Sequence, residues 1–355
     1  MTTKNAATID AAGRALKFSV QRFSAVWLWA LFFIIFSITN PAVFPTVTTV
    51  RVVLSGQVAP GILALAVLIP LAAGAFDLSV GTMLAISMVT TAWFEQSAHL
   101  NIVVAAVVSI IICAVIGFIN GFLVVRIGIN SFIATLGVSE ILSAAMLFTT
   151  QDNEIDNAYS SAFQQFTQHR FLGISLDVYY LIALGLVLWY VLEHTPLGRY
   201  LYATGGNLAG ARLAGVQVDR MIWGSFIASA AISGFAGVVY ASEVGLFNPS
   251  FGPPFLFPAF AAVFFGATQI KRRPNVWGTI IALFALAFGV EGFQLRFFGN
   301  NYWITPLFNG VALVAAVSLA SYTGAATTFR RRRRVRAESV AVPDKADDQT
   351  LARNG

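Results

Sequence analysis

Apolar runs, several as long as a bilayer-crossing helix, recur along the chain and are parted by polar stretches. A helix rises about 1.5 Å per residue, so about 20 apolar residues cross the hydrocarbon core. The pattern predicts ten spans at about residues 23–41, 60–76, 79–96, 102–125, 132–149, 177–193, 222–242, 255–269, 275–293 and 303–322. The second is interrupted by Pro60 and Pro70, and the eighth is short and follows Pro253 and Pro254. Such breaks allow a segment to kink or to enter the membrane only part way. The expected architecture is an all-α polytopic membrane protein of about ten transmembrane helices with no soluble domain. It divides into an N-terminal segment 1–22, a transmembrane domain 23–322 holding a long polar loop at 194–221, and a tail 323–355.

Charge supplies a separate test of this topology, because Lys and Arg gather on cytoplasmic loops. With the N-terminus inside, nineteen basic residues fall on the cytoplasmic side and three, Arg51, Arg170 and Arg296, on the other. Losing one helix would flip every later loop, so both termini and the 194–221 loop are predicted to be cytoplasmic. The run Arg330 to Arg334 follows the last span, where a stop signal and contact with anionic headgroups explain it better than nucleic-acid binding does. The tail beyond it is polar and is expected to lack order. No A-x-A-like cleavage site closes the first apolar run, which predicts an uncleaved first helix. Composition agrees: 57% of residues are hydrophobic and 11% charged, against about 25% charged in an ordinary soluble domain.

Motifs for chemistry are missing. There is no G-x-x-x-x-G-K-[ST] loop, so this chain cannot hydrolyse ATP in the P-loop manner, and no H-E-x-x-H pair. His99, His169 and His194 are scattered, and Cys113 is alone in an apolar run, where a small filler is the expected role. An enzyme is not expected, and neither a metal site nor a bound cofactor. Among acids near spans, Asp77 lies at a turn, Glu291 near a span end, and Glu140 inside "FIATLGVSEILSAAML", either facing a pathway or bonded to a neighbouring helix. "GFING" places Gly117 and Gly121 at i and i+4, and "SGFAG" supplies Gly234 and Gly237; both patterns let helix backbones approach closely. The thirty-one phenylalanines suit the lining of a pathway, contact with lipid and helix packing equally.

The loop is more informative. "NLAGARLAGV" reads as a short helix with Asn207 as its cap and Gly215 at its end, presenting a small-residue surface suited to docking in another protein's groove. The longer stretch "TPLGRYLYATGGNLAGARLAGVQVDR" resembles the cytoplasmic loop of the ribose-type permeases of ABC importers. "DLSVGTMLAIS" at 77–87, "NGFLVVRIGINSFIATLG" at 120–137 and "FNGVALVAAV" at 308–317 agree with that family in order, so the likeness runs from about residue 25 to 322.

The resemblance implies a permease subunit that binds no cofactor itself and sits in the bacterial inner membrane. It implies pairing with a second permease copy or paralogue, a cytoplasmic ATPase subunit, and a periplasmic binding protein that delivers a simple sugar, with no nucleic-acid partner. The family's coupling segment maps onto Gly198, Arg199, Ala203, Gly205, Asn207, Ala211 and Gly215. Candidate pathway residues are Asn120, Ser131, Thr135 and Glu140, on or beside the stretches nearest the family pattern. The chain departs from that pattern at Pro258, at Ala267, in "KRRPNVWGT", and at Ser143 and Ala144, which leaves open homodimer or heterodimer and the cargo. Branched-chain amino acid or nucleoside permeases, and an ion-coupled carrier, are the alternative readings.

Overall fold

The computed structural model describes residues 24–156, 158–269, 273–296 and 303–318. The expected N-terminal segment, the basic tail with Arg330 to Arg334, and Lys271 and Arg272 lie outside the described residues. Within them the chain is almost wholly helical: α1 Ser24–Thr39, α2 Val47–Gly56, α3 Val58–Ala72, α4 Val80–Gln96, α5 Ile102–Phe122 and α6 Ser131–Thr150. Then follow α7 Ser161–Gln168, a two-stranded hairpin (β1 Arg170–Phe171, β2 Ile174–Ser175) and α8 Leu176–His194. The loop holds α9 Pro196–Gly206 and α10 Leu208–Leu213, and the chain goes on with α11 Val218–Val244, α12 Leu256–Gln269, α13 Val276–Arg296 and α14 Ile304–Ser318.

A helix stands at each of the ten predicted positions. Five of them are long and apolar enough to cross a membrane unaided, and six if α2 and α3 form one bent span. At about 1.5 Å per residue the 14 residues of α12 reach only about 21 Å. The second expected span is corrected in its bounds and its break. Its helix runs from Val58 to Ala72, and a further helix, α2, precedes it at a 42° bend. The break falls at Gln57 rather than at a proline: Pro60 occupies the first turn of α3, where its missing N–H has no helical acceptor to lose.

α3 lies at the centre, with every residue but Leu71 buried, as an all-round apolar sequence requires. The 27-residue α11 crosses α3, α4 and α5, and there the predicted small residues meet. A side chain on Gly117 would strike Ala230 and the Phe226 carbonyl; one on Gly234 would strike Cys113, and one on Gly237 Ser87. Cys113 is buried at this crossing, the filler its sequence context implied. At the other flank α13 packs on α1 through edge-to-face and tilted rings of Trp29, Phe33, Phe36, Phe44, Phe288 and Phe293, so these rings serve packing. The hairpin pairs Arg170 with Ser175 and Phe171 with Ile174, and its turn residues Leu172 and Gly173 both have positive φ, the geometry that matches strand twist.

Candidate functional site

The 194–221 loop is a folded element. Pro196 opens α9 at a position where its lost N–H costs nothing, and Gly198 is buried with no room for a Cβ against the Leu192 carbonyl. Thr204, also buried, returns its hydroxyl to the Tyr200 carbonyl at 2.8 Å. Tyr202 donates to the Pro274 carbonyl at 2.8 Å, and Arg273 stacks 3.9 Å over its ring while pairing with Glu193 at 2.8 Å. Burial, with Glu193 adding to it and Arg273 opposing, pushes the Tyr202 phenol up to about 12. Three segments, the end of α8, α9 and the turn before α13, are thereby held as one.

α10 has both expected ends. The Asn207 side chain accepts from the Gly210 N–H at 3.0 Å. Gly215, at φ +81°, donates to the Arg212 carbonyl while the Val216 N–H reaches that of Ala211, a Schellman closure that needs a left-handed residue. Arg212 bonds Asp219 across the turn at 2.6 Å.

Most of the loop's small residues, Ala203, Gly205, Gly206, Ala209, Ala214 and Gly215, are exposed, but two of the coupling-segment residues also make close inward contacts. Ala211 is buried, and Gly205 abuts Gly74: a Cβ on Gly205 would fall 2.8 Å from the Gly74 nitrogen and onto the Ala72 carbonyl oxygen. A Cβ on Gly74, itself at φ +82°, would lie 3.0 Å from the Gly205 Cα. Beside these small residues the loop also exposes Arg199 and the large side chains Leu197, Tyr200, Leu208 and Leu213, the last 91% exposed.

Gly74 begins the turn between α3 and α4, and three residues on stands Asp77, fully buried. Its Oδ1 accepts from the Ser79 N–H at 3.1 Å and hydroxyl at 2.6 Å, and its Oδ2 from Ser229 of α11 at 2.8 Å. Ser79 Oγ in turn accepts from Asn120 Nδ2 of α5 at 3.0 Å. From α6, Ser131 Oγ accepts the Phe76 N–H and Thr135 Oγ1 the Leu78 N–H, both at 3.0 Å. Three of the four candidate pathway residues, Asn120, Ser131 and Thr135, therefore converge on one turn and hold it, while Glu140 is exposed elsewhere on α6. Asn120 Oδ1 is buried there with no hydrogen-bond partner among the described residues.

Asp77 was legible only as an acid at a turn. Its place as hub, and the parts of Ser79 and Ser229, were missed; the D-x-S spacing, a side chain capping its own backbone two residues on, was the available signal. A carboxyl group filled by three donors fixes geometry and has little capacity left for a passing ion. Among the described residues no three His, Cys, Asp or Glu side chains are placed to share a metal ion.

Comparison with known proteins accords with this architecture. The chain is 28% identical over 312 residues to the ribose import permease protein of Haemophilus influenzae, covering 87% of this chain and 95% of that one. It is 30% identical over 289 residues to the ribose import permease protein of Bacillus subtilis strain 168 (81% and 88% covered). It is 28% identical over 333 residues to the fructose import permease protein of Rhizobium meliloti (90% and 92%). No solved structure matches. The likeness to ribose-type import permeases read from the loop is thus shown across nearly the whole chain, and the reading as a multi-pass membrane transport component holds. Residues 53–317 match the family model of the branched-chain amino acid transport system permease component, and the chain belongs to that family.

Proposed function

We propose that this chain is the membrane subunit of an ATP-driven importer in a bacterial inner membrane. It translocates a simple sugar, a pentose, hexose or related polyol, handed over by a periplasmic binding protein. It crosses the membrane about ten times with both termini and α9–α10 in the cytoplasm, and works beside a second permease copy or paralogue. A separate cytoplasmic subunit hydrolyses the ATP. The family description names branched-chain amino acids, but relatives matched over most of their length are named for ribose and fructose, and those names direct the substrate class.

The observation that carries the mechanism is the backbone contact of Gly205 with Gly74. α10 offers Leu208 and Leu213 outward to the ATPase, and its Asn207 and Schellman caps keep it from unwinding under load. Motion of α9 meets the Ala72–Gly74 backbone with no side chain between to absorb it. From there the Asp77 turn passes the displacement to α5, α6 and α11 at once through the hydrogen bonds of Asn120, Ser131, Thr135 and Ser229. A packed, bonded junction of this kind shifts between arrangements as a unit. In this reading Gly198, Gly205 and Ala211 build the loop's seat, and the docking surface is the leucine face.

The test is co-purification. Expressed with an importer ATPase and binding protein from its own genome, the tagged chain is expected to retain the ATPase, and Leu213→Glu is expected to lose it while eluting as the same monodisperse species. Full retention by Leu213→Glu would remove the leucine face from the docking surface, and no complex with the wild-type chain would reopen the ion-coupled carrier.

A further inference from the structure

The π-helical extension of α5 (Leu123–Ile127), Arg212 of α10, the turn at 216–217 and the start of α11 line an open pocket of about 580 Å³. Arg126, Arg212, Asp219, Arg220 and Trp223 line it. Its charge is unbalanced. Asp219 is taken by Arg212 at 2.6 Å, Arg220 bonds only the neutral Gln217 Oε1 at 2.7 Å, and Arg126 lies 6.0 Å over the Trp223 ring. Two guanidinium charges, Arg126 and Arg220, thus share one concave site with no carboxylate of their own among the described residues.

The floor of the site is fixed. Trp223 Nε1 donates to the Phe118 carbonyl at 3.0 Å, and its ring packs on Phe118 and Phe122 at 4.9 and 6.3 Å between centroids. Gly121 leaves room for the indole, since a Cβ there would collide with it. Beyond the indole, the α5 surface continues as exposed Phe118, Ile119 and Phe122. A cationic pocket, a tryptophan at its lower edge and an apolar helix face below follow the profile of half a bilayer: headgroup, interface and acyl chain. A solvated basic loop has no need of a rigid indole floor, or of an apolar face running on from it.

We propose that this cavity binds the phosphate of an anionic phospholipid headgroup, between Arg126 and Arg220, with an acyl chain lying along Phe118 and Phe122. The bound headgroup bridges the π-helical extension of α5 to the start of α11 and touches Arg212 of α10.

The experiment is native mass spectrometry of the delipidated, purified chain titrated with phosphatidylglycerol or phosphatidylcholine. Wild type is expected to prefer phosphatidylglycerol. Each basic side chain at a headgroup surface is worth about fivefold in affinity, so Arg126→Gln with Arg220→Gln is expected to weaken phosphatidylglycerol binding about thirty-fold. Arg126→Lys with Arg220→Lys keeps the charge and most of the affinity, and serves if the glutamine pair does not fold. Arg51→Gln with Arg170→Gln removes the same net charge at the hairpin end and is expected to change nothing. The proposal is overturned if the glutamine pair binds like wild type, if the Arg51 and Arg170 pair weakens binding equally, or if phosphatidylcholine binds as well. Full displacement of phosphatidylglycerol by inorganic phosphate would instead mark a site for a free small anion and also overturn the lipid.

Discussion

Gly205 and Gly206 are consecutive residues of α9, yet only one of them carries the proposed linkage, and this gives a perturbation with its own control. In an exposed helix position Gly→Ala is worth about 1 kcal/mol in favour of folding, by helix propensity and by restricting the unfolded chain. Gly206 has nothing within 4 Å of the position its Cβ would take, so Gly206→Ala is expected to be neutral to about 1 kcal/mol stabilising. The new Cβ of Gly205→Ala would lie 2.8 Å from the Gly74 nitrogen, 3.0 Å from the Ala73 carbonyl carbon, and still closer to the Ala72 carbonyl oxygen. These are backbone atoms at the end of a fully packed helix and cannot rotate away, so the overpacking cost falls toward the upper part of the usual 1–3 kcal/mol range. After subtracting the propensity gain, the net is about 1–2 kcal/mol destabilising, and the two neighbours differ by about 2–3 kcal/mol. Thermal unfolding of both variants in the same detergent reads this as a midpoint several degrees lower for Gly205→Ala. ATP-dependent uptake is expected to fall with it, because α9 is displaced from the Asp77 turn. Equal unfolding midpoints for the two variants would refute the reasoning, since the seat would then tolerate a methyl group where the geometry allows none.

Three further outcomes are expected. Ser229→Ala removes one hydrogen bond to a buried carboxylate and is expected to cost about 1.5–3 kcal/mol, read by the same thermal assay; no change would mean that Asp77 is not held as described. Leu213→Glu is expected to leave the unfolding midpoint within about 0.5 kcal/mol of wild type, since the side chain is 91% exposed, while ATPase co-purification is lost. Glu140→Gln is expected to leave uptake unchanged, because Glu140 is exposed on α6 and joins no polar cluster with the Asp77 turn; abolished uptake would restore a coupling role.

What the sequence showed and what it hid divide along physical lines. Signals carried by a residue's own backbone or immediate neighbours were legible: Asn207 and Gly215 as the caps of α10, and Gly117, Gly121, Gly234 and Gly237 as points of close helix approach. The positions of the helices followed from apolar length. α2 escaped notice because "VTTVRVVLSG" mixes threonine, arginine and glycine with its apolar residues and falls short of a span by itself. α9 was hidden for the same reason, its glycines reading as loop although Pro196 starts a helix well. Which way Gly205 and Ala211 face was not legible at all. A small residue fits both an outward socket and an inward close contact, and only the position of Gly74 decides between them. Asp77 was visible as an acid near a span, but its three donors come from Ser79 and from Ser229, 152 residues away, and no local pattern announces such a partner.

The most direct test of the central claim is uptake of labelled ribose and other pentoses and hexoses into vesicles holding this chain with its ATPase and binding protein. It is measured with and without ATP, and with the proton and sodium gradients collapsed. The account predicts uptake of one sugar that requires ATP and survives collapse of both gradients. Uptake that ignores ATP and vanishes with a gradient would contradict it.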